Sequence, residues 1–225
     1  MAESPHVILY TYFRSSCSAR LRIALHLKSI RYSCKYVNLL RDEQHSAAYA
    51  AVNPSCLVPS LQILTKAGSC TTITQSIAAL EYLEEQYPGC TPLLPPALDV
   101  AGRAHVRNLV GIIASDTQPV TNLRILSRVG LLGGAKEQWA RELMAEGLAA
   151  YEQLSASSAG RFSYGDVVTM ADACLVPAVW GAIRYGVDLG AYPTVKAIYE
   201  EMSKLEAVSK ADWRVQGDTP EELRG

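Results

Sequence analysis

The chain has 225 residues, 49% of them apolar, enough for one large domain or two small ones with a sizeable buried core. Its 21 basic and 22 acidic side chains are interspersed and sum to a net charge of −1, which leaves no broad basic face for nucleic acid and no acidic tail for a basic partner. A small molecule is therefore the expected partner. The first residues, Met1-Ala2-Glu3-Ser4-Pro5-His6, carry an acid and no basic region, and the apolar run after them turns polar within a few residues. Neither a signal peptide nor a membrane span is expected, and the cytoplasm is the expected compartment. Six cysteines without a C-x-x-C pair and four scattered histidines point to free thiols and no metal.

In chain order, residues 6–13 alternate as a strand and 16–29 read as a helix with Leu21, Ala24, Leu25 and Lys28 at helical spacing. Residues 33–39 are again extended, which completes a β-α-β unit. A short helix is predicted over 46–51, strands over 60–64 and 71–74 joined through Lys66-Ala67-Gly68-Ser69, and a helix over 76–87. Pro88-Gly89 stops that helix, and Pro92, Pro95 and Pro96 stiffen the next stretch. The expected organisation is an α/β domain over 1–88, a linker over 89–98 and an all-α domain over 99–225. Helices are predicted over 99–126, 135–157, 169–184 and 194–205, and 212–225 is expected to lie loosely on the surface. Thr169-Met170-Ala171-Asp172 has the spacing of a capping box, a structural signal.

Three places carry chemistry. The stretch Tyr12-Phe13-Arg14-Ser15-Ser16-Cys17-Ser18-Ala19-Arg20 breaks from a strand into a hydroxyl- and thiol-rich turn that opens a helix. A helix N-terminus exposes unpaired N–H groups and about half a positive charge, so a bound thiolate is stabilised there. Singly, Ser15 and Ser16 also read as helix caps and Cys17 as a small buried hydrophobe. Val58-Pro59 stands just ahead of a predicted strand; most X–Pro bonds are trans, but a cis bond there would turn the Val58 N–H and C=O outward for an extended peptide. Gln75-Ser76 precedes a helix, so Ser76 is a sound N-cap and equally a donor to an α-amino acid carboxylate.

These pieces, with Glu81-Tyr82-Leu83-Glu84-Glu85, Gln118-Pro119 and the run from Val168-Thr169-Met170-Ala171-Asp172 to Pro177, resemble a zeta-class glutathione transferase over essentially the whole length. The resemblance implies the glutathione transferase fold, a thioredoxin-like α/β N-terminal domain followed by an all-α C-terminal domain, in a homodimer. It implies that Ser15 donates to the glutathione sulfur with Ser16 and Cys17 beside it, and that Val58-Pro59 meets the cysteinyl backbone. It further implies that Gln75 and Ser76 hold the γ-glutamyl carboxylate, that Gln118 approaches from the helical domain, and that Arg184 attracts the substrate carboxylate. Arg184 also reads as an ordinary cation at a helix C-terminus.

A free thiol with a pKa of about 8.5 is only a few per cent ionised at neutral pH, and lowering it by about two units corresponds to roughly 2.7 kcal/mol. The implied activity is glutathione-dependent cis–trans isomerisation of maleylacetoacetate or a related conjugated unsaturated carbonyl or carboxylate. The alternatives are conjugation or dehalogenation of small electrophiles, or a non-catalytic glutathione-binding module. Ala19 stands where the class commonly has tryptophan, and Cys56-Leu57 where it has a Lys-Gln pair near the glycine end of glutathione.

Overall fold

A computed structural model describes residues 6–65 and 68–224. The chain divides into two units, one formed by the chain up to Thr91 together with the segment from Glu206, the other by Pro92–Leu205.

The first unit is a mixed sheet with helices. Strand β1 (His6–Thr11) runs parallel to β2 (Tyr32–Tyr36) and antiparallel to β3 (Ser60–Leu64), and β4 (Cys70–Ile73) pairs antiparallel with β3. The order β2-β1-β3-β4 puts β1 inside the sheet, and Val7, Ile8 and Leu9 are buried on both of its faces. Helix α1 (Ser16–Leu27) is the β1–β2 crossover that parallel pairing requires. It packs against α3 (Ser76–Gln86), bringing Leu21, Ile23, Ala24 and Leu25 onto the same core as Ala79, Leu80 and Leu83. Lys28, which continues the helical spacing, is buried because its Nζ donates to Glu84 Oε2 at 3.0 Å. A four-residue helix, α2 (Ala47–Ala50), follows β2. Of the predicted hairpin turn, Lys66 and Ala67 lie outside the described residues; Thr65 N–H donates to Ser69 O at 2.9 Å.

The second unit is helical. Helix α4 (Val100–Gly111), capped by Asp99, runs into a π-helical turn over Ile112–Thr117 and then α5 (Gln118–Thr121). The single helix predicted over 99–126 is therefore interrupted. Pro119 has no N–H for the Ser115 carbonyl, and the Gln118 N–H reaches back to Ile113 O instead. Asn122 then leaves the helix and caps α6 (Leu123–Leu131) through its side chain. Helix α7 (Lys136–Ser155) passes so close to the π turn that a Cβ at Gly147 would collide with the Thr117 side chain. The stretch expected as a linker contributes buried Leu93 and Leu94 to this unit, and Leu93 O accepts from Met170 N–H at 2.7 Å.

Helix α8 (Met170–Arg184) begins with the capping box seen in the sequence, closed over a buried carboxylate. Asp172 accepts from Thr169 N–H at 2.7 Å, Thr169 Oγ1 at 2.9 Å, Ser163 N–H at 2.8 Å and Ser163 Oγ at 2.6 Å. Burial pushes the Asp172 carboxyl up, against those four bonds. Helix α9 (Pro193–Ser203) has no cap of its own, and Glu152 of α7 supplies one, accepting from Thr194 N–H at 2.9 Å and Val195 N–H at 2.8 Å.

The expected second domain, residues 99–225, extends too far. From Glu206 the chain rejoins the first unit as α10 (Glu206–Ala211), a helix that the sequence pattern does not announce, which packs on α1 with Val208 and Ala211 buried. Nor does the final segment lie loose. Trp213 sits 6.5 Å from the Phe13 ring, Thr219 is buried, and Gln216 Nε2 donates to Asp212 O at 2.7 Å.

Replacing Asp172 by alanine strands the Ser163 and Thr169 donors, so urea unfolding should show a loss of about 4 kcal/mol. For Glu152, desolvation raises the carboxyl pKa but the Thr194 and Val195 bonds outweigh it and hold it below its ordinary value. Its contribution is thus present above about pH 4.5 and lost as pH falls through the folded-state value. Glu152→Gln should flatten that acid limb of the stability curve, read by denaturant titration from pH 3 to 7.

Candidate active site

Between β1 and α1 the chain turns at Tyr12-Phe13-Arg14-Ser15, with Ser15 N–H on Tyr12 O at 3.0 Å. Ser15 is the N-cap of α1 in extended backbone, and its Oγ accepts from Ser18 N–H at 3.1 Å. A hydroxyl has two acceptor lone pairs and one proton, so capping leaves the Ser15 proton to donate. Ser16 and Cys17 occupy the first two helical positions, where N–H groups have no acceptor within the helix. All three are half-buried, whereas Ser18 and Ala19 behind them are fully covered.

What holds this turn is Arg22, fully buried on α1. Its Nη2 donates to Phe13 O at 3.0 Å, Nη1 to Thr11 Oγ1 at 3.1 Å and Tyr12 O at 3.4 Å, and Nε to Ala211 O at 3.0 Å. Burial pushes its pKa down to about 10, only partly offset by nearby Tyr32, Asp218 and Asp212. From the C-terminal segment Asp218 Oδ2 accepts the Phe13 N–H at 2.9 Å, and burial raises that carboxyl above its ordinary range.

The Val58-Pro59 peptide bond is cis. Val58 packs in one apolar cluster with Tyr12, Phe13, Val37 and Tyr49, which sets it against the turn before α1. Leu57 O, immediately ahead, accepts from Tyr49 Oη and Asn53 Nδ2, each at 2.6 Å. Cys56 takes a left-handed φ of 53° just before.

At the start of α3 the sequence expectation needs correction. The N-cap is Gln75, exposed and making no side-chain cap bond, and Ser76 is the first helical residue. The Ser76 Oγ accepts from Arg20 Nη1 at 3.1 Å instead of from a helix N–H. The N-terminus of α3 is thus left without a side-chain cap.

Residues 14–86 match the family model for the glutathione S-transferase N-terminal domain. Over 221 residues the chain is 56% identical to the maleylacetoacetate isomerase of Emericella nidulans, covering 97% of this chain and 96% of that protein. The chain belongs to the zeta-class glutathione transferase family that includes the maleylacetoacetate isomerases. The mouse maleylacetoacetate isomerase is 45% identical over 219 residues, covering 96% of this chain and 97% of its own. The crystal structure of the Anaeromyxobacter dehalogenans enzyme, with bound GSH in the active site, superposes with a TM-score of 0.88 at 41% identity, covering 97% of this chain and 100% of that one.

In the first unit Ser15 caps α1 and Ser16 and Cys17 open it, Val58-Pro59 precede β3 with Val58 packed on Tyr12 and Phe13, and Gln75-Ser76 stand at the start of α3, tied to α1 by the Arg20–Ser76 bond. Gln118 and Arg184 belong to the second unit. Gln118 is half-buried at the first position of α5, directly after the π turn; Arg184 is exposed at the last position of α8, its guanidinium 5.4 Å from the Tyr185 ring centre. Sequence reasoning missed Arg20, Arg22 and Asp218. The available signal was two arginines inside the run Ala19-Arg20-Leu21-Arg22-Ile23-Ala24-Leu25, whose other residues are all apolar.

Asp218→Ala should cost about 1–2 kcal/mol in urea unfolding because it leaves the Phe13 N–H without its acceptor. Asp218→Asn keeps an acceptor oxygen and should recover most of that loss.

Proposed function

We propose that the protein is a glutathione-dependent cis–trans isomerase acting on maleylacetoacetate or a closely related conjugated unsaturated metabolite. The observation that carries this reading is the Ser15 cap, whose oxygen is engaged by Ser18 N–H while its proton remains to donate beside a positive helix end. Full-length identity to proteins named maleylacetoacetate isomerase supports the substrate class.

The residues present suit glutathione. Buried, unpartnered nitrogens of Arg20 behind Ser76, together with the uncapped start of α3, favour an anionic group such as the γ-glutamyl carboxylate. When bound, glutathione supplies the sulfur nucleophile for reversible addition to a conjugated cis double bond, chemistry that permits rotation and returns the tripeptide unchanged. Ser15 donates to the sulfur and favours its ionised form, and the N–H groups of Ser16 and Cys17 add the helix-end field. Val58 offers its backbone to the cysteinyl group, ordered by the Tyr49 and Asn53 bonds to Leu57 O. Gln75 and Ser76 hold the γ-glutamyl carboxylate. From the second unit, Gln118 is assigned to glutathione and Arg184 to the substrate carboxylate, where its charge stabilises negative charge developing in the transition state. Composition and the family resemblance support a cytoplasmic homodimer as the working form.

Incubation with glutathione and maleylacetoacetate, following isomer and thiol separately, should show isomer conversion with glutathione recovered. Net thiol consumption would instead mark conjugation. Ser15→Ala should lower kcat roughly 100-fold and move the acid limb of kcat/KM to higher pH, because the sulfur loses a donor that favours its anion. Ser15→Asp restores the cap, worth about 1 kcal/mol, yet should stay inactive. Full activity in Ser15→Ala would refute the assignment.

A further inference from the structure

Two arginines of α1 are buried, and the fold accounts for only one. Arg22 spends Nε, Nη1 and Nη2 on backbone carbonyls and Thr11, so its burial is explained by the turn it holds. Arg20 is 2% exposed, and its Nη1 donates to Ser76 Oγ at 3.1 Å. Its Nε and Nη2 are buried with no hydrogen-bond partner, and among the described residues no carboxylate pairs with it. A buried cation lacking both a countercharge and acceptors for its remaining N–H groups is costly, and such an exception needs a reason.

The reason lies at the other end of its one hydrogen bond. Ser76 opens α3, and the preceding Gln75 makes no side-chain cap bond. With an oxygen lone pair taken by a guanidinium, the Ser76 hydroxyl is polarised and its proton is left to donate outward. A cation behind, a polarised hydroxyl and an open helix N-terminus in front fit one chemical group, a carboxylate.

We propose that Arg20 is a positioning residue. It orients and polarises the Ser76 hydroxyl toward the α-carboxylate of the γ-glutamyl group and provides that carboxylate's countercharge from behind the protein surface. This rests on the assignment of Gln75 and Ser76 to glutathione made above. Arg20 does not touch the ligand; it acts through Ser76.

The test compares dissociation constants, by calorimetry on the intact protein, for glutathione and for γ-aminobutyryl-cysteinyl-glycine, which lacks only that carboxylate. The wild type should bind glutathione at least 10-fold more tightly. Arg20→Met should weaken glutathione about 10-fold and the analogue less than twofold, and in a Ser76→Ala background it should weaken glutathione less than twofold further. Equal weakening of both ligands, or full additivity with Ser76→Ala, overturns the proposal, because a merely structural role would produce either. If Arg20→Met does not fold, Arg20→Lys carries the same comparison, with a selective loss of about threefold expected and an equal loss for both ligands counting against it. A wild type that binds both ligands alike removes the carboxylate subsite itself, a failure distinct from that of Arg20 alone.

Discussion

The guanidinium of Arg22 is the interaction on which the first unit's site depends. A chain reversing inside a protein must find partners for carbonyls that no strand or helix satisfies. Here Phe13 O falls to one side chain, which also reaches Tyr12 O, already held by Ser15 N–H, and holds Thr11 and Ala211 O in the returning segment. The planar fork of arginine can serve four acceptors at once in fixed directions, which a lysine cannot do. The turn ahead of Ser15 is therefore held on its carbonyls by one buried side chain. Asp218 takes the Phe13 N–H from the same returning segment, so the last stretch of chain is part of the site's support.

The starts of α1 and α3 are treated differently. At α1 the cap is made by Ser15, whose oxygen accepts from Ser18 N–H and whose proton is left to donate. At α3 no side-chain cap is made, and the serine one position on is occupied from behind by a buried cation.

The second unit solves a different problem, that of starting helices in an apolar interior. Asp172 gathers four donors from Thr169 and Ser163, and Glu152 caps α9 from a distance. These bonds hold α8 and α9, and hence the end of α8 where Arg184 stands. The π turn ahead of Pro119 does the same for Gln118, since a wider turn changes the direction of every later residue in the helix.

Most elements were legible from local pattern: strand β1 and the starts of α1 and α8 follow from alternation, from Ser15 as a cap and from the Thr169–Asp172 spacing, because these signals involve neighbours in sequence. The places of Ser15-Ser16-Cys17 at the start of α1 and of Val58-Pro59 ahead of β3 were equally visible, since they depend on residue type at one turn. Other features required the folded chain. Ser76 reads as a cap by propensity, yet its oxygen is claimed by Arg20, 56 positions earlier. The bond from Arg22 to Ala211 spans 189 positions, and no local pattern announces a partner at that distance. Residues 212–225 read as polar surface because the partners of Trp213 and Asp218 lie in the turn before α1, at the opposite end of the sequence. Short-range propensity writes the elements into the chain, whereas the pairing of buried polar groups is decided only when distant segments compete for the same donors and acceptors.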